Sequence, residues 1–432
     1  MRAFAASLIA SIALGQDVAW TSGGTFKVKN AAFPTVTKFE GPNETEEFLM
    51  VSSFGALSSG YIYMVDGIKD AVATGDASNL KSERLNETFV WPNEVKVVDY
   101  DIFGERAIQV PDGFLVPGKT EGGVYILRMD DEGLTTVNEK VMISPKKKGF
   151  FYHMGYWVDM NGDGRKDFIT ARSNAKAGDG ELVWFEHPEG GLDVSPWEEH
   201  VVTEGPDVGI EVYEMPGYRN ELIVFAAEFF DENLSVYRVS LKDGTLIESR
   251  VIDDTTLAAY SVELVDLNND GKQQLLVNNH EKSSKKNGIW AYELPSNGDL
   301  FNGEFTKKTI ETGFNTVFSL IPAMSPGFPY AVWPHGKTRG ERAHIFVAGD
   351  GDYEAHVLVP TGDNAEDFGY TDYVFDKAHG TVGALAFSDL DNDGWTEVWV
   401  PNYDKSTVEL YKFSEGSGST QTSYFNVHDF VD

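Results

Sequence analysis

Three stretches of this chain carry oxygen-bearing side chains at alternate positions of a nine-residue run. They are Asp159-Met160-Asn161-Gly162-Asp163-Gly164-Arg165-Lys166-Asp167, Asp266-Leu267-Asn268-Asn269-Asp270-Gly271-Lys272-Gln273-Gln274 and Asp389-Leu390-Asp391-Asn392-Asp393-Gly394-Trp395-Thr396-Glu397. The shared pattern is D-x-[DN]-x-D-G-x-x-[DEQ]. Calcium takes roughly six to eight hard oxygens from a flexible loop. Positions 1, 3 and 5 can turn their side chains inward, and glycine at position 6 permits the sharp turn. Position 7 offers a backbone carbonyl, from Arg165, Lys272 or Trp395, and position 9 closes the shell. Ca²⁺ is therefore the expected cofactor, with weaker binding where Gln274 replaces a carboxylate. An EF-hand shares the first half of the pattern but needs a bidentate glutamate at position 12. Here that position holds Thr170, Val277 or Val400. A metal-free turn rich in Asp, Asn and Gly is the competing reading. Three recurrences argue against it.

A second group of residues could do different chemistry. Aligned apolar strands that follow the loops place Phe54, Lys119, Arg172, Ala227, His280, His335 and Tyr403 at equivalent positions. His153 and His379 enter from segments on the same expected face. The candidate ligand pocket is thus His153, Arg172, His280, His335, His379 and Tyr403. Imidazoles on one face suit a sugar-binding pocket, a second metal site, or an acid–base site with His and Glu in proton transfer. The alternative is a set of ordinary polar residues around a solvated channel. No nucleophile elbow, P-loop or dinucleotide glycine pattern occurs in context.

Both groups sit on a repeat. Short apolar runs begin at Leu49, Phe114, Phe168, Leu222, Leu275, Tyr330 and Val398, so successive starts lie 65, 54, 54, 53, 55 and 68 residues apart. Each run reads as a strand buried on both faces. Each is followed by another strand, often rich in Tyr or Trp, such as Tyr61-Ile62-Tyr63 or Ile289-Trp290-Ala291. A further strand lies upstream, around Val36, Val95–Val98, Tyr156–Val158, Ile210–Val212, Val262–Val265, Val317–Ile321 and Ala384–Phe387. Outer strands such as His200-Val201-Val202 and Arg250-Val251-Ile252 alternate with polar neighbours. Four antiparallel strands per unit, seven units and no sustained helical period predict an all-β, seven-bladed β-propeller spanning residues 16–432. A two-domain β-sandwich explains the regular spacing poorly. Ring closure falls to Thr25-Phe26-Lys27-Val28 or to Thr422–Val427.

The three loops, each running into an apolar strand, resemble FG-GAP/VCBS-type repeats, as in the integrin α-subunit propeller. The resemblance covers nearly the whole chain after its first residues. It implies calcium that is structural, pinning the link between the first two strands of a blade. The Phe-Gly and Gly-Ala-Pro signatures are not clean; Val51-Ser52-Ser53-Phe54-Gly55 is the nearest trace.

Composition narrows the setting. Of 432 residues, 68 are acidic and 35 basic, a net of −33. So negative a surface repels nucleic acid and anionic membranes. There are no cysteines, which excludes disulfides and thiol chemistry. Residues 1–15 read as a signal peptide, with Arg2, an apolar run from Ala3 to Leu14, and small Ala13 and Gly15 before the cut. No later run has the ~20 apolar residues that span a bilayer. Asn43, Asn86 and Asn233 open N-x-[ST] sequons. The expected protein is secreted and extracellular, a recognition or adhesion module for carbohydrate or an extracellular protein. A carbohydrate-active enzyme, lyase or dehydratase, is the alternative.

Overall fold

The computed structural model describes residues 12–13, 18–55, 58–113, 121–317, 323–336, 340–362 and 368–416. Seven antiparallel sheets form seven blades around one axis. The innermost strands, blade one to blade seven, are Ala31–Thr37, Lys96–Val98, Phe151–Tyr152 with Tyr156–Val158, Gly209–Tyr213, Ala259–Val265, Pro329–Val332 and Ala386–Ser388. The second strands are Phe48–Gly55, Ala107–Asp112, Asp167–Ser173, Glu221–Glu228, Gln274–Asn279, His344–Ala348 and Glu397–Asn402. These are buried along almost their whole length, because each faces a neighbouring blade on both sides. Outer strands such as Glu198–Glu204 and Leu246–Asp253 alternate between half-buried and exposed positions, and Val201 and Val251 stand about half in solvent.

The core is divided by the ring. Seven apolar clusters occur among the described residues, one at each junction between adjacent blades. Closure uses the N-terminal strand, Val18–Lys27, as the outer strand of blade seven, paired antiparallel with Thr407–Glu415. Trp20 lies opposite Phe413 and Phe26 opposite Val408, and both aromatic rings are buried. Of the two sequence-based options this is the Thr25–Val28 one; Thr422–Val427 lies outside the described residues. Residues 1–11 and 14–17 of the expected signal peptide also lie outside them. Ile12–Ala13 pairs with Ala19–Trp20 at the same edge.

Four strand assignments change. Phe114–Val116 lies outside the described residues, and the second strand of blade two is Ala107–Asp112, whose Gln109, Pro111 and Asp112 dilute its apolar character. In blade six, Tyr330-Ala331-Val332 is the innermost strand and Ile345-Phe346-Val347 belongs to the second. The innermost strand therefore does not run from Val317. A residue count alone cannot tell two short apolar triplets apart when a long loop separates them. Blade one also carries a short helix, Ile68–Thr74, that buries Ile68, Ala71 and Val72. At two turns it is too short to give a periodic signal. It braces the closing strand: Ala77 donates to the Gly23 carbonyl, and Lys412 Nζ donates to that of Val72.

Candidate functional site

The three aspartate loops all link an innermost strand to a second strand, so they lie on one face of the disc. Their internal bonding differs. In the first, Asp159 gathers the loop's own amides, from Gly162 at 2.8 Å, Asp163 at 3.1 Å and Gly164 at 2.9 Å. Asn161 accepts from the Asp163 amide, and Asp163 from the Arg165 amide and guanidinium. Both oxygens of buried Asp167 are taken, by the amides of Met160 and His187. Burial pushes this carboxyl up to about 6.

In the second loop Asp266 accepts from Asp270 and Gly271, and Asp270 from Lys272. Gln274 fills the shell by itself. Its Oε1 accepts from Leu267 at 2.9 Å and its Nε2 donates to the Lys272 carbonyl at 2.8 Å. Asn268, at position 3, is buried.

The third loop is the open one. Its amides turn to Asp391 and Asp393 rather than to Asp389. One oxygen each from Asp389, Asp391 and Glu397 lies within 4.8 Å of the others. Glu397 is fully buried, accepts from Leu390 and Ser388 through Oε2, and leaves Oε1 buried with no partner. Burial raises its carboxyl to about 7. Lys412 Nζ contacts Asp391 and supplies the nearest positive charge. Among the described residues, Asp159, Asp163 and Asp167 form no such three-carboxylate cluster.

The expected histidine pocket comes apart. His335 follows the innermost strand of blade six, so it lies on the loop face. There its ring meets Trp395 edge-on at 5.0 Å and its Nε2 reaches Glu341 at 2.6 Å. Arg172 is fully buried inside blade three, paired with Glu199 and Glu181. His379 is exposed in the turn before blade seven. Tyr403 donates to the Phe54 carbonyl at 2.8 Å. His280 keeps its expected face; Nδ1 contacts the Pro326 carbonyl at 2.8 Å and Nε2 lies 3.4 Å from Asp350. Lys119 lies outside the described residues. Of the sequons, Asn43 and Asn86 are exposed, while Asn233 is half-buried and bonds to Glu228.

The axis holds a cavity of about 380 Å³, lined by all seven innermost strands or their entries. His153 reaches it because the blade-three strand breaks at Gly155, where an added Cβ would lie 2.2 Å from the Phe168 ring. Near the face opposite the loops, Phe33, His153, Tyr260 and Phe328 form an aromatic collar, with Tyr260 and Phe328 centroids 4.7 Å apart. His280 stacks on Tyr260 at 4.6 Å, and Phe54 stacks on Trp91 at 4.1 Å. Further along stand Glu94, Lys96, Glu211 and Glu263. Lys96 pairs with Glu94 at 2.8 Å. Burial raises the carboxyls of Glu211 and Glu263 to about 7, and lowers His153 to about 4.

Of the axial residues sequence reasoning named His153 alone for the pocket, and missed the others because it looked mainly on the second strands. In a propeller the innermost strand lines the axis. Acids within those otherwise apolar segments, Glu211 and Glu263, were the readable signal.

No protein-family profile matches the chain, and no curated protein does. Among solved structures, the chain is similar to the BBS1N domain crystallised in complex with ARL6DN, at 13% identity and TM-score 0.50, covering 91% of this chain and 96% of that one. It is also similar to the hydrazine synthase of Kuenenia stuttgartiensis, at 12% identity and TM-score 0.50, covering 89% and 96%. At such identities the likeness is one of fold.

Proposed function

We propose that the chain is a calcium-stabilised propeller of the FG-GAP/VCBS type that works outside the cell as a recognition module for carbohydrate or protein. The observation that carries the metal half is the third loop. Asp389, Asp391 and Glu397 bring hard oxygens together, with one buried Glu397 oxygen lacking a partner. Calcium there would also take the Trp395 carbonyl and lock the first two strands of blade seven. In the second loop both polar atoms of Gln274 are already bonded within the loop, so calcium adds least there.

The recognition half rests on the aromatic rings gathered at the face away from the loops, around Phe54, Trp91 and Tyr403. Flat rings with polar edges suit sugar faces and protein side chains. Catalysis is the weaker reading, because His280 and His335 stand on opposite faces. The test is binding to a glycan array and to extracellular matrix proteins, with and without EGTA. Binding lost by Trp91→Ala at unchanged melting temperature supports the reading; no binding to either surface overturns it.

A further inference from the structure

The axial cavity has a character independent of the loops. At about 380 Å³ it falls at the small end of small-molecule sites, which run from roughly 300 to 1,000 Å³. Its two ends differ. The collar of Phe33, Tyr260 and Phe328 offers ring faces. The other end carries three carboxyl groups, from Glu94, Glu211 and Glu263, against the single ammonium of Lys96. Lys96 is committed to Glu94. Glu211 hydrogen-bonds Tyr156 and Tyr213 and shares the field of Lys96 with Glu94, while Glu263 meets the Ala331 backbone amide and has no cation beside it.

Two polar atoms along the cavity lining lack partners. Glu94 Oε2 is buried and unbonded. His153, only 7% exposed and lining the cavity, leaves Nδ1 unbonded. Buried polar groups without partners are costly, and a ring of aromatic faces beside three carboxyls that share one ammonium attracts positive charge. No three of these carboxylates converge tightly enough to hold a metal ion, which leaves an organic cation as the better fit.

We propose that the axial cavity binds a small organic cation, an amine or quaternary ammonium with an apolar body. The charged head lies towards Glu211 and Glu263 and the body against Phe33, Tyr260 and Phe328. This goes beyond the recognition role above and stands whether or not calcium fills the loops.

Titration calorimetry on the full chain in EGTA tests it, with phenethylamine and benzyltrimethylammonium as probes and phenethyl alcohol and phenylacetate as controls. The expected result is amine binding at least about tenfold tighter than the neutral alcohol, and no binding of the acid. Glu211→Gln and Glu263→Gln should each weaken the amines by about tenfold while leaving the alcohol unchanged, as expected for loss of a charged partner. Two independent variants guard against one failing to fold, and melting temperature reports on each. No binding of either amine, equal binding of amine and alcohol, or indifference to both substitutions overturns the proposal. Failure here with intact glycan or protein binding would sink the cavity alone and spare the recognition reading.

Discussion

Blades five and seven carry the same nine-residue loop on the same face, yet finish it in opposite ways. In blade five the ninth residue is Gln274. Its amide donates to the Lys272 carbonyl and accepts from Leu267, so both polar atoms of this side chain have partners within the loop. In blade seven the ninth residue is Glu397, which cannot donate when ionised. It leaves a buried oxygen bare beside Asp389 and Asp391. The spacing of aspartates sets the turn. The ninth side chain sets whether its own buried oxygens are all met by the chain itself. A carboxamide brings its own donor to the carbonyl, whereas the Glu397 carboxylate, unlike Asp167 with both oxygens held by amides, has only one oxygen satisfied by the chain. The blades differ in construction too. Blade five is continuous in sequence, while blade seven borrows its outer strand from residues 18–27.

The largest expected difference between these blades lies in closure. Trp20→Ala removes a buried indole from the borrowed strand, and should cost about 3–5 kcal/mol in urea denaturation. Ile310→Ala, in the outer strand of blade five, should cost less, about 2–3 kcal/mol. Equal losses would mean that closure adds no special vulnerability.

Calcium should raise the stability of the wild type by ~3–4 kcal/mol when free ion exceeds Kd a few hundred-fold. Glu397→Gln should abolish most of that gain while leaving the metal-free protein as stable as before, because glutamine can close the shell as Gln274 does. A calcium response that survives Glu397→Gln would move the metal to the first loop or away from all three.

The reciprocal change, Gln274→Glu, should destabilise the metal-free protein by about 1–3 kcal/mol, since the Lys272 carbonyl then faces a buried carboxylate oxygen instead of an N–H donor. It should create a calcium response in blade five, read as a larger shift of melting temperature on adding the ion. No change in either state would break the comparison at its root.

Lys412 is the finest probe. It sits on Asp391 with its side chain about a quarter exposed, and competes there with any cation. Lys412→Met should tighten calcium binding severalfold and change metal-free stability by less than about 1 kcal/mol, as partly exposed ion pairs do. Weaker calcium binding instead would mean that Lys412 positions Asp391 rather than competing for it.

Much of the architecture was legible before any coordinates. Seven apolar runs at a near-constant period, each flanked by further strands, specify the ring because a blade cannot bury both faces alone. The loops and their glycines are legible for the same local reason. The chain's register within blade six was not. Tyr330–Val332 and Ile345–Val347 are equally apolar, and only hydrogen bonding to neighbours tells an innermost strand from a second one. That single slip carried His335 to the wrong face.

The sequence alone therefore determined what depends on local order: the strand periodicity, the aspartate turns and the excess of negative charge. Tertiary structure decided what depends on meeting at a distance. It chose the N-terminal strand to close the ring, and turned Glu94, Glu211 and Glu263 from three separate blades towards one axis. It also left a Glu397 oxygen bare where Gln274 supplies its own partner. Periodicity survives in a string of residues, but convergence exists only once the ring has closed.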